Sequence, residues 1–385
     1  MAKALPTRAS VVVIGGGVIG LSTAYHLAAA GVEDVVLIER DALGAGSTCK
    51  AAGGVRALFS DEINIRLGLR SLEAFERFGT DFDQEIDLHQ VGYLFLIDDE
   101  EHEGAFADAV EIQNSLGVAS RMIGVEEAKK LSPMIDTTGL RSALWSPRDG
   151  HCTPESVVLG YATAARRLGV QLITGCEATD VITEGGQITQ VRTNRGSIAT
   201  ASVVCAAGAW SRAVGEWAGV DLPIDPLRRQ IVVTEPVDGL DPATPFTIDF
   251  STSFYFHREG RGLLLGMSEE TDSWGFDLSR SSDWLEALAG VMERRLPGLG
   301  EIGLQSGWAG LYEMTPDHNA VIGEAPEVSR FLYATGFSGH GFLMGPAVGE
   351  VMRDLFLGTT PGVDVSSLTA ERFSGTEPRP ELNIV

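Results

Sequence analysis

Six residues near the start, Gly15-Gly16-Gly17-Val18-Ile19-Gly20, set three glycines in the spacing GxGxxG. They fall between a β-branched run, Val11–Ile14, and residues 18–30, whose apolar positions recur at helical spacing. In that setting the first glycine makes a tight turn, the second lets backbone approach a pyrophosphate, and the third packs helix on strand. The phosphate charge then lies at a helix N-terminus, where unpaired N–H groups and the dipole favour an anion. Glu39 ends the next apolar run, nineteen residues beyond Gly20, where a carboxylate accepts hydrogen bonds from both ribose hydroxyls and disfavours a 2′-phosphate. The chemistry indicated is binding of a dinucleotide other than NADP. Residues 44–56 are mostly small, which suits backbone packed along an extended cofactor and is not needed by a nicotinamide enzyme. Further glycine clusters at 206–210 and 336–341 point the same way.

Strand, glycine turn, helix and strand within about 30 residues form a βαβ unit, so an open parallel sheet must position the turn. Residues 61–78 read as an amphipathic helix with Ile63, Leu67, Leu69, Leu72 and Phe75 inward. A helix begins at Thr153-Pro154-Glu155, which pairs a capping threonine with proline at the first helical position. A last helix is expected from about Pro346. Between these lie short strand patterns at 91–97, 230–234, 253–257 and 262–266 that suggest a second domain. The expected fold is α/β (α+β overall), with two interleaved domains. A Rossmann-like domain takes residues 1–84, 149–219 and 308–373, an antiparallel-sheet substrate domain takes 85–148 and 220–307, and 374–385 read as a loose tail.

Composition limits the partners. The 53 acidic and 29 basic residues give a net charge of -24, which makes nucleic acid or anionic lipid a poor partner. Cys49, Cys152, Cys176 and Cys205 have no paired spacing, so neither a disulfide framework nor a metal site is expected. No apolar run reaches membrane-spanning length and residues 1–10 lack the core of a secretory signal, so a cytoplasmic protein is expected.

With its GxGxxG and Glu39, GSTCKAAGG from Gly46, VVCAAGAWS from Val203, AGLYEMTPD from Ala309 and GFSGHGF from Gly336, the chain resembles the D-amino-acid oxidase superfamily of flavoproteins. Within it, the resemblance is to the sarcosine oxidase, dimethylglycine dehydrogenase and proline dehydrogenase β-subunit branch. It implies an extended FAD held by one domain and roofed by the sheet of the other. Gly15, Gly17 and Gly20 are implied at the pyrophosphate, with Val18 and Ile19 in the same turn. Glu39 is implied at the ribose with Arg40 beside it, Ala178 at the adenine edge, and Ala207, Gly208 and Trp210 at the middle of the cofactor. Gly46, Ser47, Thr48, Lys50, Ala52 and Gly53 follow along the diphosphate and ring, and Gly310, Gly336, Gly339, His340, Gly341, Phe342 and Leu343 complete the set.

The implied activity is oxidation of the C–N bond of a secondary or tertiary amine, an N-methyl or cyclic imino acid, with hydride passing to the flavin. Arg56 is the implied grip on the substrate carboxylate, and Tyr255 and His257 are the implied polar contacts on the roof. Alternatives are a primary amino acid oxidase of glycine oxidase type, a 2-hydroxy acid dehydrogenase, or a flavin-carrying subunit of an electron-transfer complex. Departures from the family matter as well. Gly310 and Lys50 stand where relatives carry flavin-linking cysteine and histidine, so FAD is expected to be non-covalent. Leu264 replaces a lysine that favours reaction with oxygen, which leaves the acceptor as O2 or a redox partner, with a hetero-oligomer as one arrangement. Leu343 replaces a second carboxylate-binding lysine.

Overall fold

The computed structural model describes residues 4–375 and 380–382. The GxGxxG turn joins strand β1, Val11–Ile14, to helix α1, Val18–Ala29, which leads to strand β2, Val35–Ile38. All eight strand residues are buried, with Val11, Val13, Val35 and Leu37 packed under helices and Val12, Ile14, Val36 and Ile38 packed against a three-stranded sheet formed by Ala178–Glu184, Gln187–Thr193 and Gly196–Ala199. β1 lies inside a six-stranded sheet with β2 on one side and Val203–Cys205 on the other, all parallel. Only Val321–Glu324, at the edge, runs antiparallel to its neighbour Phe331–Thr335. The last helix packs across α1, and a Cβ on its Gly349 would lie 2.0 Å from Ser22 Oγ, so the crossing requires a bare backbone there.

That helix spans Gly341–Leu357 and starts five residues before the expected Pro346, which lies inside it. Proline marks a helix start because its missing N–H is harmless there, but the turn ahead of Pro346 is itself helical. Helix α2, Glu62–Glu76, buries Ile65, Leu67, Leu72 and Phe75 as an apolar stripe, while Ile63 and Leu69 are only half-buried. Polar Asn64 and Ser71 are buried in their place. Asn64 explains the tail. Glu381 is 1% exposed and accepts from Asn64 Nδ2, Ser60 N, Ser60 Oγ and Asp61 N, so residues 380–382 are held against the start of α2 rather than loose. The rest of that expected tail, 376–379 and 383–385, lies outside the described residues.

The second large sheet has eight strands, with Leu304–Met314, Asp225–Thr234, Gly262–Met267, Phe254–Glu259, Phe246–Asp249 and Tyr93–Ile97 in order, followed by Ser142–Ser146 and Arg121–Ile123. It is antiparallel apart from one joint, Phe246–Asp249 on Tyr93–Ile97, which is parallel. A domain boundary at 308 does not hold, because Leu304–Met314 pairs with Asp225–Thr234 from one end to the other. Glycines 307 and 310 sit in the ladder opposite Val232 and Arg229. Phe254 and Phe256 pack beneath this sheet against Trp284 and Leu288, which leaves Tyr255 and His257 on the opposite face. Among the described residues no helix is long and apolar enough to cross a membrane.

Candidate functional site

A cavity of about 570 Å³ runs from the glycine turn to the face of the eight-stranded sheet. Its deep end is set by Gly15, whose φ of +114° only glycine adopts readily and whose Cβ position lies 2.2 Å from Ala206 O. Gly20 does not line the cavity. A Cβ there would lie 2.0 Å from Gly15 O, so this third glycine lets α1 close on the turn rather than meeting a ligand. Glu39 holds the same turn, accepting from Gly16 N at 2.7 Å and Asp41 N at 2.8 Å, and each carboxylate oxygen has a lone pair left for a hydroxyl. The start of α1 has no acidic residue in its own first turn, and its N–H groups are met from outside by Glu39 at Gly16 N and by Thr48 Oγ1, which accepts from Val18 N at 3.1 Å.

Along the middle, Arg40 stacks over the Trp210 ring at 3.8 Å, and Phe276 also stacks with that ring, its centre 5.3 Å away. Val18, Ile19, Gly46, Thr48, Ala52, Gly53, Ala178, Ala207 and Gly208 are also on the wall. Ser47, another wall residue, ties down the roof by donating to Leu311 O at 2.7 Å. Lys50 and Gly310 face each other, with a Cβ on Gly310 falling 3.1 Å from Lys50 Cβ. Gly339, His340, Gly341, Phe342 and Leu343 line the far side as the first turn of the last helix and its cap. Gly336 is not on the wall, and its Cβ position lies 2.5 Å from Thr315 Cγ2, so packing requires this glycine. The set fits an extended FAD: a bare-backbone cradle under a helix end, a carboxylate one strand away, and a roomy far end beyond.

That far end gathers groups from four elements. Arg56 is 5% exposed, donates to Leu58 O, and places Nη2 3.0 Å from His340 Nε2. Burial and the Arg56 charge hold His340 well below its ordinary value, so the ring is neutral and Nε2 accepts. Three tyrosines converge nearby, Tyr93, Tyr255 and Tyr312, and burial raises each phenol, which keeps all three as protonated donors. Tyr255 lies across Gly266, where a Cβ would be 2.2 Å from its ring. His257 is not on the wall. Its Nε2 is 2.9 Å from Ala52 O and its Nδ1 2.8 Å from Arg258 O, and burial pushes it down to about 4, so it supports the Ala52 backbone instead of meeting a ligand.

Among the wall residues that escaped the sequence reading are the polar Tyr93, Arg229, Tyr312 and Glu313 and the apolar Ile231, Phe246 and Ile248. Tyr312 and Glu313 lie within AGLYEMTPD, so the motif held the signal. Tyr93 sits in a strand buried on both faces, where alternation gives none. Behind Arg56, Asp149 accepts from Ala57 N at 3.1 Å, and its second oxygen has no partner among the described residues.

These buried groups set a pH dependence of stability. Asp149 and Glu313 are pushed up to about 7 by burial from 3.8 and 4.5, so the unfolded chain ionises first and stability is lost as pH rises from about 4 to 7. His151, His257 and His340 are pushed below 6.5, the first two to about 2 and about 4, so stability is lost as pH falls below 6.5. His26 is likewise pushed down to about 3, so four histidines oppose two carboxyls between pH 5 and 6, giving a net rise of about 2–3 kcal/mol per pH unit that levels off near pH 7. Urea midpoints across pH 5 to 8 check this, and Glu313→Gln, which removes one opposing carboxyl, is expected to steepen the rise.

The chain matches the family model described as DAO, FAD dependent oxidoreductase, over residues 10–355. It is 31% identical to the mitochondrial sarcosine dehydrogenase of Mus musculus, covering 96% of this chain but only 42% of that protein. The FAD-dependent oxidoreductase domain-containing protein 1 of Xenopus laevis is 32% identical, with 99% of this chain and 85% of that one covered. Among solved structures, L-proline dehydrogenase from P. horikoshii superposes with a TM-score of 0.91 at 34% identity, covering 97% of this chain and 100% of the other. With the cradle, the carboxylate and the aromatic far end in one cavity, and a match across nearly the whole sequence, the chain belongs to the DAO family of FAD-dependent oxidoreductases.

Proposed function

We propose that this enzyme oxidises the C–N bond of a secondary or tertiary amino acid, an N-methyl or cyclic imino acid, to an imine, or from a tertiary amine to an iminium ion, that water then hydrolyses. The observation that carries the reading is Arg56, a buried guanidinium on the wall of the cavity among three protonated phenols. FAD, when bound, supplies the hydride acceptor. Arg56 binds and orients the carboxylate, and a charge-assisted contact in so dry a site is strong. Tyr255 and Tyr312 donate to the same end of the substrate. The neighbouring cation and the apolar wall of Ile231, Phe246 and Ile248 disfavour an ammonium, so the substrate enters as the free amine, its proton left in bulk water, and its lone pair is free to assist hydride loss. The names of relatives support this substrate class: sarcosine dehydrogenase, dimethylglycine dehydrogenase, 4-methylaminobutanoate oxidase and L-proline dehydrogenase.

FAD is held without a covalent link, since the facing pair Lys50 and Gly310 offers no thiol or imidazole. Leu264 lies among Ile231, Val233 and Trp308, an apolar group that gives no charge to assist superoxide formation, which favours a redox partner over O2. Anaerobic addition of sarcosine, proline, pipecolate, glycine and lactate to the purified yellow protein tests the reading. Bleaching by the secondary amines is expected. Bleaching by glycine or lactate alone, or by none of the five and no other secondary amino acid, overturns it.

A further inference from the structure

Two adjacent arginines on Asp225–Thr234 have different fates. Arg228 points away from the cavity and is saturated, with two bonds to Glu269 at 2.9 and 3.0 Å and others to Ser273 and Ser279. Arg229 shares the cavity face with Ile231 and lines the wall. Its partner across the ladder is Gly310, which has no side chain to fill the space in front of it. Only its Nη1 is engaged, with Arg228 O at 3.1 Å and with Asp272, at the exposed edge, at 3.3 Å. The Nε is buried and has no partner among the described residues. The guanidinium lies 5.5 Å from the centre of the Tyr312 ring, and Tyr312 feels the charges of both Arg229 and Arg56.

The far end of the cavity thus presents two guanidinium groups from different elements, Arg56 beyond a short strand under the roof and Arg229 on the roof itself. The carboxylate that meets Arg229 is Asp272, which takes Nη1 at the exposed edge and leaves the buried Nε without a partner among the described residues. Glu313 is occupied by Thr335 and pushed up to about 7, and Asp149 lies near Arg56. A simple amino acid carries one carboxylate, which Arg56 takes, and leaves the buried Nε of Arg229 without an acceptor.

We propose that the preferred substrate carries two anionic groups, an N-substituted amino dicarboxylate whose α-carboxylate meets Arg56 and whose distal carboxylate meets the free edge of Arg229. This rests on the amine-oxidising reading above and narrows its substrate class. The test is rapid-mixing reduction of the anaerobic holoenzyme by N-methyl-L-glutamate, N-methyl-L-aspartate, iminodiacetate and sarcosine, which gives a dissociation constant for each. At least one dicarboxylate is expected to bind about 10- to 100-fold more tightly than sarcosine, the worth of one further charge-assisted hydrogen-bonding contact. In Arg229→Met that ratio collapses to near one, and in Arg229→Lys, which keeps charge but not the fork, it recovers in part. Bound flavin per protein is recorded for each variant. Equal or tighter binding of sarcosine in the wild type overturns the proposal while leaving the amine reading intact. So does an unchanged ratio in Arg229→Met. If Arg229→Met fails to hold flavin, the wild-type ratios and the Lys variant still decide it. Failure of every secondary amine to reduce the flavin sinks the parent reading instead.

Discussion

Alanine at Gly15 is expected to give a protein that purifies with about a tenth or less of the wild-type flavin content. Two effects add. The φ of +114° is strained for any L side chain, costing about 1–3 kcal/mol. The new methyl would also stand 2.2 Å from Ala206 O, a backbone atom of a central strand end that cannot turn aside. Gly20→Ala is expected to do similar damage although Gly20 is off the cavity wall, because its methyl would push α1 away from Gly15 O at 2.0 Å. Gly17→Ala separates folding from binding. Its added Cβ meets only the Thr48 hydroxyl at 3.1 Å within the protein, so the fold should stand, but it projects where bare backbone approaches the pyrophosphate, so flavin should be held more weakly. Visible to ultraviolet absorbance ratios and urea midpoints of the three purified variants check this, and a Gly17 variant destabilised as much as the Gly15 and Gly20 variants contradicts the steric account.

Removing the Arg56 charge, as Arg56→Met, is expected to lower kcat/KM about 100- to 1,000-fold with little change in folding stability. The kinetic loss corresponds to about 3–4 kcal/mol, the worth of a bidentate charged contact in a dry site. Stability responds differently because Arg56 is itself a desolvated cation, and methionine fills a comparable volume without that cost. The lost charge also lets Asp149 keep its proton, since Arg56 is one of the groups drawing its value down. Urea midpoints and kcat/KM measured on the same preparation separate the two effects. Equal fractional losses in both would mean that Arg56 holds the fold rather than the substrate.

The parallel-sheet half of the molecule is legible in the sequence because its determinants are local. Val11–Ile14, the glycine turn and Glu39 lie within one supersecondary unit, and each reads correctly from its own neighbours. The roof is less so. Tyr93 lies in a strand buried on both faces, and Arg229 and Tyr312 are half-buried within strands that carry mostly apolar neighbours, so no local pattern separates cavity wall from core. Alternation placed Tyr255 and His257 together on one face, which is correct, but not that Tyr255 lies over Gly266 toward the cavity while His257 lies against the Ala52 carbonyl. Asn64 and Glu381, joined across most of the chain, leave no trace in any local pattern.

The order of strands also bears on how the molecule is made. β1 takes one neighbour from the next few dozen residues and the other from Val203–Cys205, beside which Phe331–Thr335 must dock. Such long sequence separations make loop closure slow and leave sheet edges open in the meantime. During synthesis the glycine turn emerges well ahead of the carbonyl of Ala206 against which it closes, which arrives nearly two hundred residues later. The cofactor cradle is therefore a late product of folding, and flavin cannot act as its early template.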